Sequence, residues 1–171
     1  MKLLIRLAPA VLIIVFFIQW FVIGISSPRE QIIESVIGME EGFNGQRAGD
    51  VVVHCTEDFR ESTYQLNVSS FRGALFRIFM GQRDKKDQSF LWQVSVQRDS
   101  IELDPDPDLY EDSTIPETIS VTAPVNFYRR GNMGMGPVWV MEVQGDAVRD
   151  EDGRWRFRRA KFRTLSGRMP F

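Results

Sequence analysis

Proton transfer near neutral pH is the chemistry that histidine serves best, and this chain of 171 residues has a single histidine, His54. Asp58 follows four residues later, so on a helix the two lie side by side on one face and are the candidate catalytic residues. No catalytic signature accompanies the pair, and a partly buried or surface histidine with no role is the simpler reading. Asp104, Asp106, Asp108, Glu111 and Asp112 offer the oxygen ligands that calcium takes. Pro105 and Pro107 interrupt that cluster. A calcium loop of the EF-hand type starting at Asp104 would need glycine where Leu109 stands and a closing acid where Ile115 stands. The segment therefore reads as a solvated loop, and no metal site and no cofactor are expected. The lone cysteine, Cys55, excludes an internal disulfide and a cysteine-based zinc site.

Binding features are more prominent than catalytic ones. Arg154, Arg156, Arg158, Arg159, Lys161, Arg163 and Arg168 occur in one stretch without an acidic residue. Trp155 and Phe157 alternate with the first three arginines, which places the arginines on the face opposite the core. The successive Arg158 and Arg159 require a bulge before Phe162 can turn inward again. Such a face either keeps an exposed sheet from aggregating or docks an acidic partner, with Arg154, Arg156, Arg158 and Arg163 as the docking candidates. Anionic lipid headgroups, or the acidic 104–117 loop of a second copy in a homodimer, are further partners for it. Trp92, Trp139 and Trp155 fall on the inward faces of their strands. They are core residues or, where the core is incompletely filled, the lining of a pocket for a small apolar ligand. A net charge of −2 gives no global field for nucleic acid, and none is expected as a partner.

The elements that position these residues begin with an apolar run. From Leu7 to Ile25 the only strongly polar side chain is Gln19, and Lys2 and Arg6 precede the run. At about 1.5 Å per residue it makes a helix of about 28 Å, close to the roughly 30 Å of a bilayer's hydrocarbon core. Trp20 and Phe21 suit the far interface, and the leading charges keep the N-terminus in the cytoplasm. The sequence thus divides into an anchor over 1–26 and an exported domain over 27–171. The alternative is a secretory signal cleaved near Ser26, against which stand the length of the run and the bulky Trp20-Phe21-Val22-Ile23.

Beyond the anchor, Ser27-Pro28-Arg29-Glu30 is a capping box that opens a helix, with Ile32, Ile33, Val36, Ile37 and Phe43 at helical spacing. Ala48-Gly49-Asp50 leads into a second short helix over Val51 to Phe59, for which a strand is the alternative because of its valines. A third helix starts at Ser69 or Ser70 and ends at Gly81. From Phe90 the period changes to two, and strands are expected at 90–96, 101–103, 119–127, 138–144 and, after an Asp152-Gly153 turn, from Trp155 onward. Helices first and antiparallel-looking strands afterwards predict an α+β domain with helices on one face of a curved sheet.

The first helix ending in Gln46-Arg47-Ala48-Gly49-Asp50, with the closing strands Val138–Val148 and Asp152-Gly153-Arg154-Trp155-Arg156-Phe157, resembles the nuclear transport factor 2-like superfamily. The resemblance covers most of residues 28–171. It implies a cone-shaped α+β fold shared by ketosteroid isomerases, polyketide-cyclase-like proteins and pure binding domains. In the enzymes of that superfamily a pocket Asp or His is the proton-transfer base, a role for which His54 is the candidate here; the partner constellation of pocket Tyr and Asp is not recognisable. An anchor followed by such a cone is also similar in architecture to the assembly subunit of type IV secretion systems. The expectation is a membrane-anchored, extracytoplasmic interaction or ligand-binding module without catalysis. The alternative is an enzyme or carrier that uses the cone's pocket.

Overall fold

The computed structural model describes residues 26–171. The run Leu7–Ile25, and with it the expected anchor, lies outside these residues. Among the described residues no helix is long and apolar enough to cross a membrane.

Local capping sets the first helix, α1 (Pro28–Asn44). Ser27 Oγ accepts from the Glu30 N–H at 3.2 Å, and Pro28 occupies the first turn, where its missing N–H costs nothing. Glu30 does not return the bond of a full capping box, because its carboxylate pairs with Arg98 instead. A five-residue helix, α2 (Ala48–Val52), follows.

The expected helix over Val51 to Phe59 is not there. The chain leaves α2 at Val53, and Cys55–Glu61 is a strand, β1. Phe157 N–H donates to the His54 carbonyl at 2.9 Å, so a distant strand supplies the backbone partner that a local helix would have supplied. His54 and Asp58 therefore share no helix face. Glu61, only 1% exposed, holds the following turn, accepting from the Thr63 N–H and from the Tyr64 N–H at 2.8 Å. That turn leads into the two-residue strand β2 (Leu66–Asn67).

The third helix, α3 (Val68–Gly81), starts a residue early because Asn67 caps it. Asn67 Oδ1 accepts from the Ser70 N–H, and Ser70 Oγ accepts from the Asn67 N–H, both at 2.8 Å. The remaining strands are β3 (Trp92–Val96), β4 (Glu102–Asp104), β5 (Thr118–Arg129), β6 (Trp139–Arg149) and β7 (Trp155–Gly167).

The sheet runs β2-β1-β7-β6-β5-β3, with β4 also paired to β5. All its pairs are antiparallel except β1 with β7, which is parallel. The bulge required by the consecutive arginines is present: Asp146 faces Arg159 while Ala147 faces Phe157, leaving Arg158 without a partner across the ladder. At the β3 edge, α1 substitutes for a missing strand. Asn44 accepts from the Val94 N–H at 2.8 Å and donates to its carbonyl at 2.9 Å, and one turn earlier Glu40 Oε2 accepts from the Val96 N–H at 3.1 Å. The helices thereby lie on the concave face of the sheet. Ile32, Phe59, Ile119, Trp155 and Phe157 pack at one end, and Phe43, Phe79, Phe90, Phe127 and Trp139 at the other. Edge-to-face contacts order the second group, with Phe43 and Phe79 ring centres 5.3 Å apart and Phe79 and Phe90 5.4 Å apart.

Candidate functional site

Between α1, α3 and the concave sheet the core is incomplete, and a cavity of about 440 Å³ remains. Its origin lies in side-chain volume. Val121, Gly145 and Ala160 lie side by side on β5, β6 and β7, and all three face the cavity. With Ala123 beside them on the sheet and Ala74 opposite on α3, small residues meet where large ones would fill the space. Gly145 cannot be enlarged without movement, since a Cβ there would lie 2.8 Å from the Phe157 ring.

The wall is almost wholly apolar, with Phe43, Phe59, Phe71, Phe127 and Trp139 among its rings. Four groups in it carry a titratable or charged function: Glu40, Cys55, Tyr64 and Arg77. Tyr64 and Arg77 are exposed and stand at the rim. Met169 and Phe171 from the tail also border the opening. Phe171 lies 6.0 Å from both Phe127 and Trp139, ring centre to ring centre. Burial pushes the Cys55 thiol up to about 12, so it stays protonated at neutral pH and is a weak nucleophile. Burial also raises the Glu40 carboxyl above its usual range; Val96 N–H partly offsets this, and Glu41 adds to it.

The tryptophans separate. Trp139 is part of the cavity wall, and its indole N–H is engaged by Thr164 Oγ1 at 3.0 Å, which leaves only the ring for a ligand. Trp92 lies outside the wall, half-buried, with its N–H 3.3 Å from Gln82 Oε1. Trp155 is buried in the core beside Phe157 and is not part of the wall.

His54 and Asp58 are not in the wall either. The imidazole packs against Gly38 of α1, where an added Cβ would lie 2.4 Å from Nε2. Burial lowers its pKa, and the neighbouring Arg156 lowers it further, against a smaller opposing effect of Asp50. Asp58 is exposed on β1 and accepts from Thr56 Oγ1 at 2.7 Å.

The arginine face is largely paired within the sheet. Arg156 binds Asp150 and, at 2.6 Å, Asp152, whose carboxyl it holds below the usual range. Arg163 binds Glu142 across the β6–β7 ladder at 2.9 Å, and Arg154 lies 3.8 Å from Asp152. Arg158 makes no ion pair among the described residues. In the acidic loop, Asp106 is paired with Arg29 at 2.7 Å, and no group of residues able to hold a metal ion occurs among those described.

Glu40 and the row of small residues were not singled out in the sequence. The signal for the row is there, as glycine or alanine at inward positions of long strands, but it acquires meaning only once the register aligns them.

No family model and no curated protein sequence matches the chain. Solved structures do match its fold. A protein of unknown function with a cystatin-like fold from Nostoc punctiforme PCC 73102 superposes with a TM-score of 0.61 at 7% identity, covering 82% of this chain and 92% of that one. ActVI-ORFA from Streptomyces coelicolor gives 0.53 at 15% identity over 79% and 95% of the two chains. A putative scytalone dehydratase from Novosphingobium aromaticivorans DSM 12444 gives 0.52 at 14% identity over 78% and 80%. The fold is thus the α+β cone of the nuclear transport factor 2-like kind. At such identities the likeness extends to the fold and not to activity.

Proposed function

We propose that the cone binds a small apolar ligand without transforming it, and that residues 7–25 hold it at a membrane on the extracytoplasmic side. The observation that carries the binding reading is the cavity of about 440 Å³ with its almost wholly apolar wall. That size falls within the range of small-molecule sites, and its surface offers what an apolar ligand gains by leaving water. Catalysis has less support. The chain's one histidine packs against α1 outside the wall, and the cavity's one thiol is held protonated.

Native mass spectrometry of the full chain, extracted gently from its membrane, tests the reading. The wild-type protein is expected to retain an apolar small-molecule mass, and Ala74→Phe, which fills the cavity from α3, is expected to lose it. Ala123→Leu fills it from the sheet and serves as a second probe. A protein that carries no such mass, and that takes up an added hydrophobic dye equally well with and without the filling substitutions, would overturn the proposal. A defined complex with other polypeptides in its place would make the domain an assembly module.

A further inference from the structure

We infer that Glu40 is the polar anchor of the cavity, its Oε1 receiving the hydroxyl or amine donor of an otherwise apolar ligand. This inference rests on the cavity being a ligand site and names the class of ligand. The carboxylate is oriented from one side only, since Oε2 accepts from the Val96 N–H at 3.1 Å. Among the described residues no protein donor reaches Oε1, and no sealed side-chain oxygen there lacks a partner. Oε1 is therefore not sealed off, and Glu40, half-buried, is one of the residues that line the cavity.

The other polar members of the wall do not compete for this role. The Trp139 N–H is already bonded, Cys55 is a weak donor, and Tyr64 and Arg77 stand at the rim. A ligand that enters fully thus meets apolar surface everywhere except at one acceptor. An acceptor in such surroundings selects strongly, because a ligand without a donor strips water from the carboxylate and returns nothing. A ligand carrying its own carboxylate would add like-charge repulsion. Alcohols, phenols and amines of apolar skeleton fit the site, and fatty acids do not. The raised carboxyl of Glu40 agrees with a group held among apolar side chains.

Three matched probes test this: 2-naphthol, 2-methoxynaphthalene and 2-naphthoate, bound to the full chain in lipid nanodiscs with uptake by empty nanodiscs subtracted. The wild type is expected to prefer 2-naphthol over 2-methoxynaphthalene by at least about tenfold, the scale of a hydrogen bond to a charged acceptor, and to bind 2-naphthoate least. Glu40→Gln can still accept from Val96 while turning an amide donor inward, so the preference for 2-naphthol should collapse. Equal binding of the naphthol and its ether by the wild type, abolished by Ala74→Phe, would overturn the role of Glu40 and leave the cavity site standing. Binding that Ala74→Phe does not change would remove the cavity site itself. Should Glu40→Gln fail to fold, the wild-type comparison of the probes decides alone.

Discussion

At the scale of single residues, His54 shows how packing sets chemistry. Its imidazole fits because residue 38 of α1 is glycine, and the fit excludes water on that side. Burial and the nearby Arg156 disfavour the imidazolium, so the folded pKa lies below the ordinary value of 6.5. Arg156 cannot swing away, since Asp150 and Asp152 hold its guanidinium. The sign of the linkage follows. The unfolded chain binds a proton at His54 before the folded one does, so the contribution is fully present above 6.5 and is lost as pH falls below 6.5 through the folded value. Urea midpoints measured between about pH 5 and 8 should decline on the acid side of this window, and His54→Asn should flatten that part of the decline. A profile unchanged by the substitution would show that the imidazole is not the group responsible.

At the scale of elements, the contact between α1 and β3 matters most. An edge strand normally offers unpaired N–H and C=O groups to any other strand. Here Asn44 bonds both groups of Val94, and Glu40 takes the N–H of Val96. Asn44→Ala should cost about 1–3 kcal/mol by leaving those groups without partners, and it should raise the tendency to associate through β3. Urea denaturation and size-exclusion chromatography would check both, and a variant as stable and as monodisperse as the wild type would contradict the account. Elements differ in how far the sequence discloses them. The helices α1 and α3 and the ribbon β5–β6–β7 were legible because their signals are local: Ser27 as the cap of α1, Phe71 to Phe79 at helical spacing before Gly81, alternation through Ile119 to Phe127, and Asp152-Gly153 at the turn. The strand β1 was misread because its partner lies about a hundred residues away, where Cys55 meets Phe157, and valine-rich segments next to a cap also fit a short helix. The site was less legible still. Trp139 stood out as an inward ring, but Glu40 reads as one of two adjacent helix charges until Val96 is seen to orient it.

At the scale of the whole molecule, the apolar run and the domain are close neighbours, for the run ends at Ile25 and α1 begins at Pro28. An anchor there would hold the cone close against the bilayer. The full chain should accordingly remain in the membrane pellet after alkaline carbonate washing, and protease applied from the extracytoplasmic side should reach the domain. Release into the wash, with a mass lacking residues 1–26, would instead identify a cleaved signal. The parallel pairing of β1 with β7 bears on how such a domain is made. Synthesis delivers α1, α2 and β1 early, yet β1 has no long strand to rest on until Trp155 and the residues after it have emerged. Closure of the sheet waits for a contact of high sequence separation, which folds slowly. A nascent chain stopped before Trp155 lacks the strand that β1 pairs with, so the sheet takes its final shape only after residues 155–167 have been made.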